Sequence, residues 1–139
     1  MPMPMRYAHA GPEFDAFVDD AKEELGLQTS HQTYTAVQAT LWVFRRRLSV
    51  PEAVAFAQLL PPVLGAIFLQ GWDPTVAPLP FADRDALTRE VLAVRADHNF
   101  APPDVIVGVA RAMRRHVDPR ELDGLLARFP PGATDYWAA

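Results

Sequence analysis

The sequence predicts an all-α protein, with two tandem related helical units of about seven or eight helices packed into one domain. Three observations carry that prediction. Apolar residues recur at helical spacing along most of the chain, and no stretch sustains the period-2 alternation of a half-buried strand. Capping residues precede the apolar stripes, and Gly or Pro follows them. Finally, Phe44–Pro62 lies on Met113–Pro131 without a gap at an offset of 69 positions, the mark of a repeated supersecondary unit.

Composition sets the outer limits. Of 139 residues, 50% are hydrophobic and 22% charged, which is enough apolar material for a packed core and excludes wholesale disorder. A formal charge of −4 argues against a dedicated nucleic-acid binder, which needs a basic surface to displace counterions. There is no Cys, hence no disulfide framework, thiol nucleophile or Cys-ligated metal. A reducing, cytoplasmic setting fits.

The elements follow in chain order. Met1-Pro2-Met3-Pro4-Met5-Arg6 lacks the apolar run of a secretory signal, and alternating Pro favours extended chain, so residues 1–12 are expected to form a loose arm. The first unit covers 13–72. Phe14, Phe17, Val18, Ala21 and Leu25 make one apolar stripe, with Asp15, Asp19, Asp20, Glu23 and Glu24 on the other side. Leu25-Gly26-Leu27 reads as a Schellman stop. A second helix starts near Thr29–Ser30, with Gln32 placed for a capping box and Tyr34, Val37, Leu41, Phe44 and Leu48 inward. Ser49 caps a third, with Glu52 reaching back. Pro61-Pro62 opens a fourth, short helix that ends where Gly71 permits a turn.

Residues 73–80, with Pro74, Pro78 and Pro80, read as a linker. The second unit, 81–139, repeats the plan. Asp83 caps a helix with the stripe Leu87, Val91 and Val94. Pro102-Pro103 opens the next, with Ile106, Val109, Ala110, Met113 and Val117 inward. Asp118 to Glu121 reads as a capping box before Leu122, Leu125, Leu126 and Phe129. At the offset of 69, Arg45, Arg46, Glu52, Pro61 and Pro62 meet Arg114, Arg115, Glu121, Pro130 and Pro131.

Ala53 to Trp72 is an uncharged run of 20 residues, nominally the length of a membrane span. Pro61-Pro62 breaks it, so two buried helices and no membrane partner are expected. Val63, Leu64, Ile67 and Phe68 sit in a segment that is apolar all round and must be covered. Either both units wrap it inside the monomer, or it forms the seam of a homodimer. Its counterpart after Pro131 is shorter and more polar.

Little points to chemistry. His9, His31, His98 and His116 have no second His at metal-ligand spacing, so no metal is expected. No phosphate-cradling Gly motif or nucleophile elbow occurs, and no cofactor is expected. The acidic first helix presents one solvated face rather than an acid–base pair. The prediction is therefore a non-enzymatic interaction or scaffold protein, capable of self-association or of binding another protein. Arg45, Arg46, Arg114, Arg115 and His116 are the candidate binding residues of an alternative reading, in which equivalent basic helix ends meet as a small-ligand or anion site. Cations at helix C-termini also stabilise them by roughly 0.3–1 kcal/mol each, without any ligand.

One segment is more distinctive. Leu60-Pro61, an apolar helix, and then Gly71-Trp72-Asp73-Pro74 resemble a signature of the DUF2267 family, small bacterial proteins of unknown function. The resemblance covers roughly 14–131. It implies an all-helical fold in the bacterial cytosol and lends no catalytic residues. Where members often carry Arg-Gly before an apolar-aromatic pair, this chain has Gly65-Ala66. Physically, Gly71 can end the helix, Trp72 can cover the core, and Asp73-Pro74 can begin a turn, a structural role for each.

Overall fold

The computed structural model describes residues 2–139. The helices are α1 (Met5–Ala8), α2 (Ala10–Leu25), α3 (Ser30–Arg45), α4 (Val50–Leu59), α5 (Pro62–Leu69), α6 (Arg84–Ala93), α7 (Val105–Arg114), α8 (Pro119–Leu126) and α9 (Ala133–Tyr136). A 3-10 turn spans Ala96–His98, and no strand occurs among the described residues. The first and last helices, α1 and α9, are each a single turn.

Local chemistry sets most boundaries. Thr29 accepts from the Gln32 N–H at 3.1 Å, and the Gln32 side chain accepts from the Gln28 N–H at 3.1 Å. Ser49 and Glu52 form a reciprocal capping box, with Glu52 Oε1 2.7 Å from the Ser49 nitrogen. Asp83 and Asp118 cap α6 and α8, but Glu121 does not reach back, so the box expected at Asp118 is only half formed. Gly26 ends α2 at φ 65°, with Leu27 N–H bonded to Lys22 O at 3.1 Å and Gly26 N–H to Glu23 O at 3.2 Å, the Schellman pattern. Arg95, 69 positions later, ends α6 in the same left-handed region at φ 50°. Asn99 Nδ2 there donates to the Val91 and Val94 carbonyls at 2.9 and 3.0 Å, completing the terminus.

The N-terminal residues are helical where extended chain was expected. Residues 5–8 form α1, and 10–12 open α2. Proline does not prevent this, because Pro4 precedes α1 and Pro12 sits in the first turn of α2, where no intrahelical N–H bond is required. Arg6 then ties the segment down, donating to Leu60 O at 3.0 Å beyond the end of α4.

The core crosses the units. The main partner of α2 is α7, and α3 packs on α6 as well as on α2, so the buried residues of both units form one cluster. Phe44 lies at its centre, with ring centroids 4.8 Å from Phe56, 5.1 Å from Tyr136 and 5.4 Å from Trp137. The C-terminal segment is thus core, contrary to its polar appearance. Ala133, Tyr136 and Trp137 are buried, and they stand 69 positions after Leu64, Ile67 and Phe68. Tyr136 Oη donates to Thr40 O at 2.6 Å, and its burial raises the phenol pKa far above the ordinary range.

The all-apolar segment is largely covered within the chain. Leu64, Ile67 and Phe68 are buried by the chain itself, and Val63 is half-buried. Helix α5 approaches α4 so closely that a Cβ on Gly65 would lie 2.9 Å from Ala57 O. Gly65→Ala is therefore expected to destabilise the fold by about 1–3 kcal/mol, measured by urea unfolding. A wild-type midpoint for that variant would contradict the close approach.

Candidate functional site

The five candidate basic residues do not converge. On α3, Arg45 Nη1 donates to Phe68 O at 2.8 Å and Gln70 O at 2.7 Å, and its guanidinium lies 5.4 Å from the centre of the Trp42 ring. On α7, Arg114 Nε donates to Trp137 O at 2.8 Å and Nη2 to Asp123 at 2.8 Å. Arg45 therefore holds carbonyls at the end of α5 and Arg114 the carbonyl at the end of α9, and Phe68 and Trp137 again differ by 69. Their neighbours reach into the other unit. Arg46 and Arg47 pair with Glu90 on α6, whereas Arg115 pairs with Glu24 and His116 with Asp20 on α2. Each basic helix end thus meets the first helix of the opposite unit. The joint anion site expected from equivalent helix ends is not formed, because two separate sets of carboxylates claim the two clusters.

Two arginines shift the carboxyls they bond. Hydrogen bonding from Arg47 holds the Glu90 carboxyl below the usual carboxylate range, and Arg114 does the same to Asp123. Burial, followed by the charge of Arg46, lowers the pKa of Arg45.

At the end of α3, two basic groups that keep unused donors line one cleft. It is bounded by the end of α3 and by the returning segment after α5. Gly71, at φ 66°, reverses the chain, with Trp72 N–H bonded to Leu69 O at 3.2 Å. Asp73 Oδ1 then accepts from the Thr75 N–H at 3.0 Å and the Thr75 hydroxyl at 2.6 Å, fixing an Asx turn and keeping the carboxyl ionised below its usual range. Leu79 N–H bonds to Arg46 O at 2.9 Å, and Arg47 Nε donates to Pro80 O at 3.3 Å, so the linker is fastened across the end of α3.

Between these parts lies a cleft of about 350 Å³. Arg45, Arg46, Leu48, Trp72, Val76 and Leu79 contribute to its wall, but Arg114, Arg115 and His116 do not. Arg45 and Arg46 each use only Nη1 in bonds within the chain, leaving the Nε and Nη2 edge of both unpaired. Val76 and Leu79 are 67% and 50% exposed, and Trp72 is half-buried against the core.

Gly71, Trp72 and Asp73 of the distinctive segment line this cleft. Leu60 is buried, Pro61 leads into α5, Gly71 and Asp73 make the reversal, Pro74 follows, and Trp72 faces both core and cleft. The family model for DUF2267, described as "Uncharacterized conserved protein (DUF2267)", matches residues 14–136. The chain belongs to the DUF2267 family. No curated protein matches it. In this DUF2267 chain, Gly71, Trp72 and Asp73 form part of the wall of a cleft where the chain turns after α5.

Sequence reasoning missed Val76 and Leu79. The available signal was two large apolar residues placed among prolines in a segment otherwise suited to solvent. Elsewhere, a groove between α2 and α3 is lined by Phe14, Asp15, Asp19, His31 and Tyr34. Among the described residues no three His, Asp or Glu side chains gather as a metal-ligand set, and no helix is long and apolar enough to cross a membrane.

Proposed function

We propose that this DUF2267 protein is a non-catalytic, cytoplasmic binding protein whose binding site is the Trp72 cleft. One observation carries the reading: unpaired guanidinium edges and exposed apolar side chains occur together there. Small-molecule sites combine an apolar wall with a few convergent polar groups, and this cleft has that composition. The non-catalytic part of the proposal is supported by the lining. Its one carboxyl, Asp73, is committed to Thr75, and no base stands beside a nucleophile.

A chemically mixed set of small fragments, followed by amide ¹H–¹⁵N spectra, tests this. Responding amides are expected to cluster at 45–48 and 71–79. Val76→Glu is expected to abolish them without unfolding the protein, since Val76 is largely exposed. Fragments settling instead in the Phe14–Tyr34 groove, or nowhere, would overturn the assignment.

A further inference from the structure

We infer that the occupant of the Trp72 cleft is a small apolar molecule carrying a single carboxylate. This rests on the proposal that the cleft is the binding site, and it adds the chemical class of the ligand. The first ground is donor geometry. The Nε and Nη2 edge of a guanidinium matches the two oxygens of a carboxylate, and two such edges, on Arg45 and Arg46, are unpaired. Arg45 is half-buried, where a charged hydrogen bond is screened less than in open water. Arg46 can turn toward a ligand and Glu90 stays paired, because Arg47 holds it with two further hydrogen bonds.

The second ground is the count of charges. Asp73 lines the same cleft and stays ionised, so two cations are partly offset by one anion. That balance suits a monoanion. A phosphate monoester, carrying about −1.5 to −2 at neutral pH, meets additional repulsion from Asp73.

The third ground is shape. Leu48, Trp72, Val76, Ala77 and Leu79 give the ligand an apolar body to rest on. A volume of about 350 Å³ lies near the lower limit of ligand pockets, which run roughly 300–1,000 Å³. A single ring or short aliphatic chain with its carboxylate fits that space, whereas a long peptide would have to extend beyond it.

The test uses a matched series on the full chain: 3-phenylpropanoate, its amide, 3-phenylpropylamine, phenyl phosphate, and a short peptide ending in Phe. Dissociation constants are read from the amides of 71–79. The propanoate is expected to bind at least about tenfold more tightly than its amide and more tightly than the phosphate, with no response to the amine. Arg46→Gln, at an exposed position, is expected to erase most of the gap between acid and amide.

Equal binding of acid and amide would overturn the carboxylate inference while the cleft assignment stands. Stronger binding of phenyl phosphate would do the same. A peptide that binds more tightly than the free acid would overturn the small-ligand assignment. Silence from the whole series would end the inference, and silence from the mixed fragments as well would end the cleft assignment.

Discussion

Arg47→Ala is expected to lower the free energy of unfolding by about 3 kcal/mol, in the range for breaking a buried ion pair. Arg47 is only 4% exposed, and its guanidinium serves Val43 O at 3.1 Å, Pro80 O at 3.3 Å and both oxygens of Glu90. It therefore joins the end of α3, the linker and α6 at one point. The Glu90 side chain is 30% exposed, so water compensates part of its lost partner, which keeps the expected cost near the lower limit.

The sign of the acid response follows from the depressed Glu90 pKa. Its contribution to stability is fully present above the unfolded carboxyl pKa, about 4.3. It is lost as pH falls through the lower folded-state value. Urea unfolding between neutral pH and pH ~3 is expected to show a shallower acid decline for Glu90→Gln than for the wild type. An Arg47→Ala midpoint equal to that of wild type would show that the linker and α6 are held by something else.

Trp137→Ala is expected to cost about 3–5 kcal/mol, the cost of emptying a large aromatic site in a core. Trp137 is fully buried and packs against Phe44, Phe56 and Tyr136. Its indole nitrogen has no hydrogen-bond partner, so Trp137→Phe sacrifices volume and no hydrogen bond. That variant is expected to cost about 1–2 kcal/mol. Thermal and urea unfolding of both variants checks the pair. Equal losses would mean that the indole N–H matters in a way its surroundings do not explain.

The same two residues show what the sequence could and could not convey. The caps at Thr29, Ser49 and Asp83 and the stop at Gly26 depend on neighbours within a few positions, and each is readable from local chemistry. Arg47 stands in a run of three arginines, and nothing local distinguishes it from Arg45 or Arg46. Its burial and its bonds to Pro80 O and Glu90, 33 and 43 positions away, make it structural. Trp137 looks like part of a polar tail until the offset of 69 places it on Phe68. That comparison extends the alignment past Pro131 and was available from sequence alone.

The candidate site was legible in fragments. Arg45, Arg46 and Trp72 all stand out by residue type or by the family signature. Their meeting in one cleft depends on the linker folding back to bond Leu79 N–H to Arg46 O, a contact across 33 positions. Arg114, Arg115 and His116 look equally suited to an anion in sequence. Their commitments to Trp137, Asp123, Glu24 and Asp20 come from the packing of the units.

The central claim is that anion-binding capacity resides at the end of α3 and not at the end of α7. Arginine side-chain Nε–Hε signals, followed while 3-phenylpropanoate is added, test it most directly. The signals of Arg45 and Arg46 are expected to move together and saturate, while those of Arg114 and Arg115 stay in place. Movement of Arg114 and Arg115 instead, or of all four by the same amount, would contradict it.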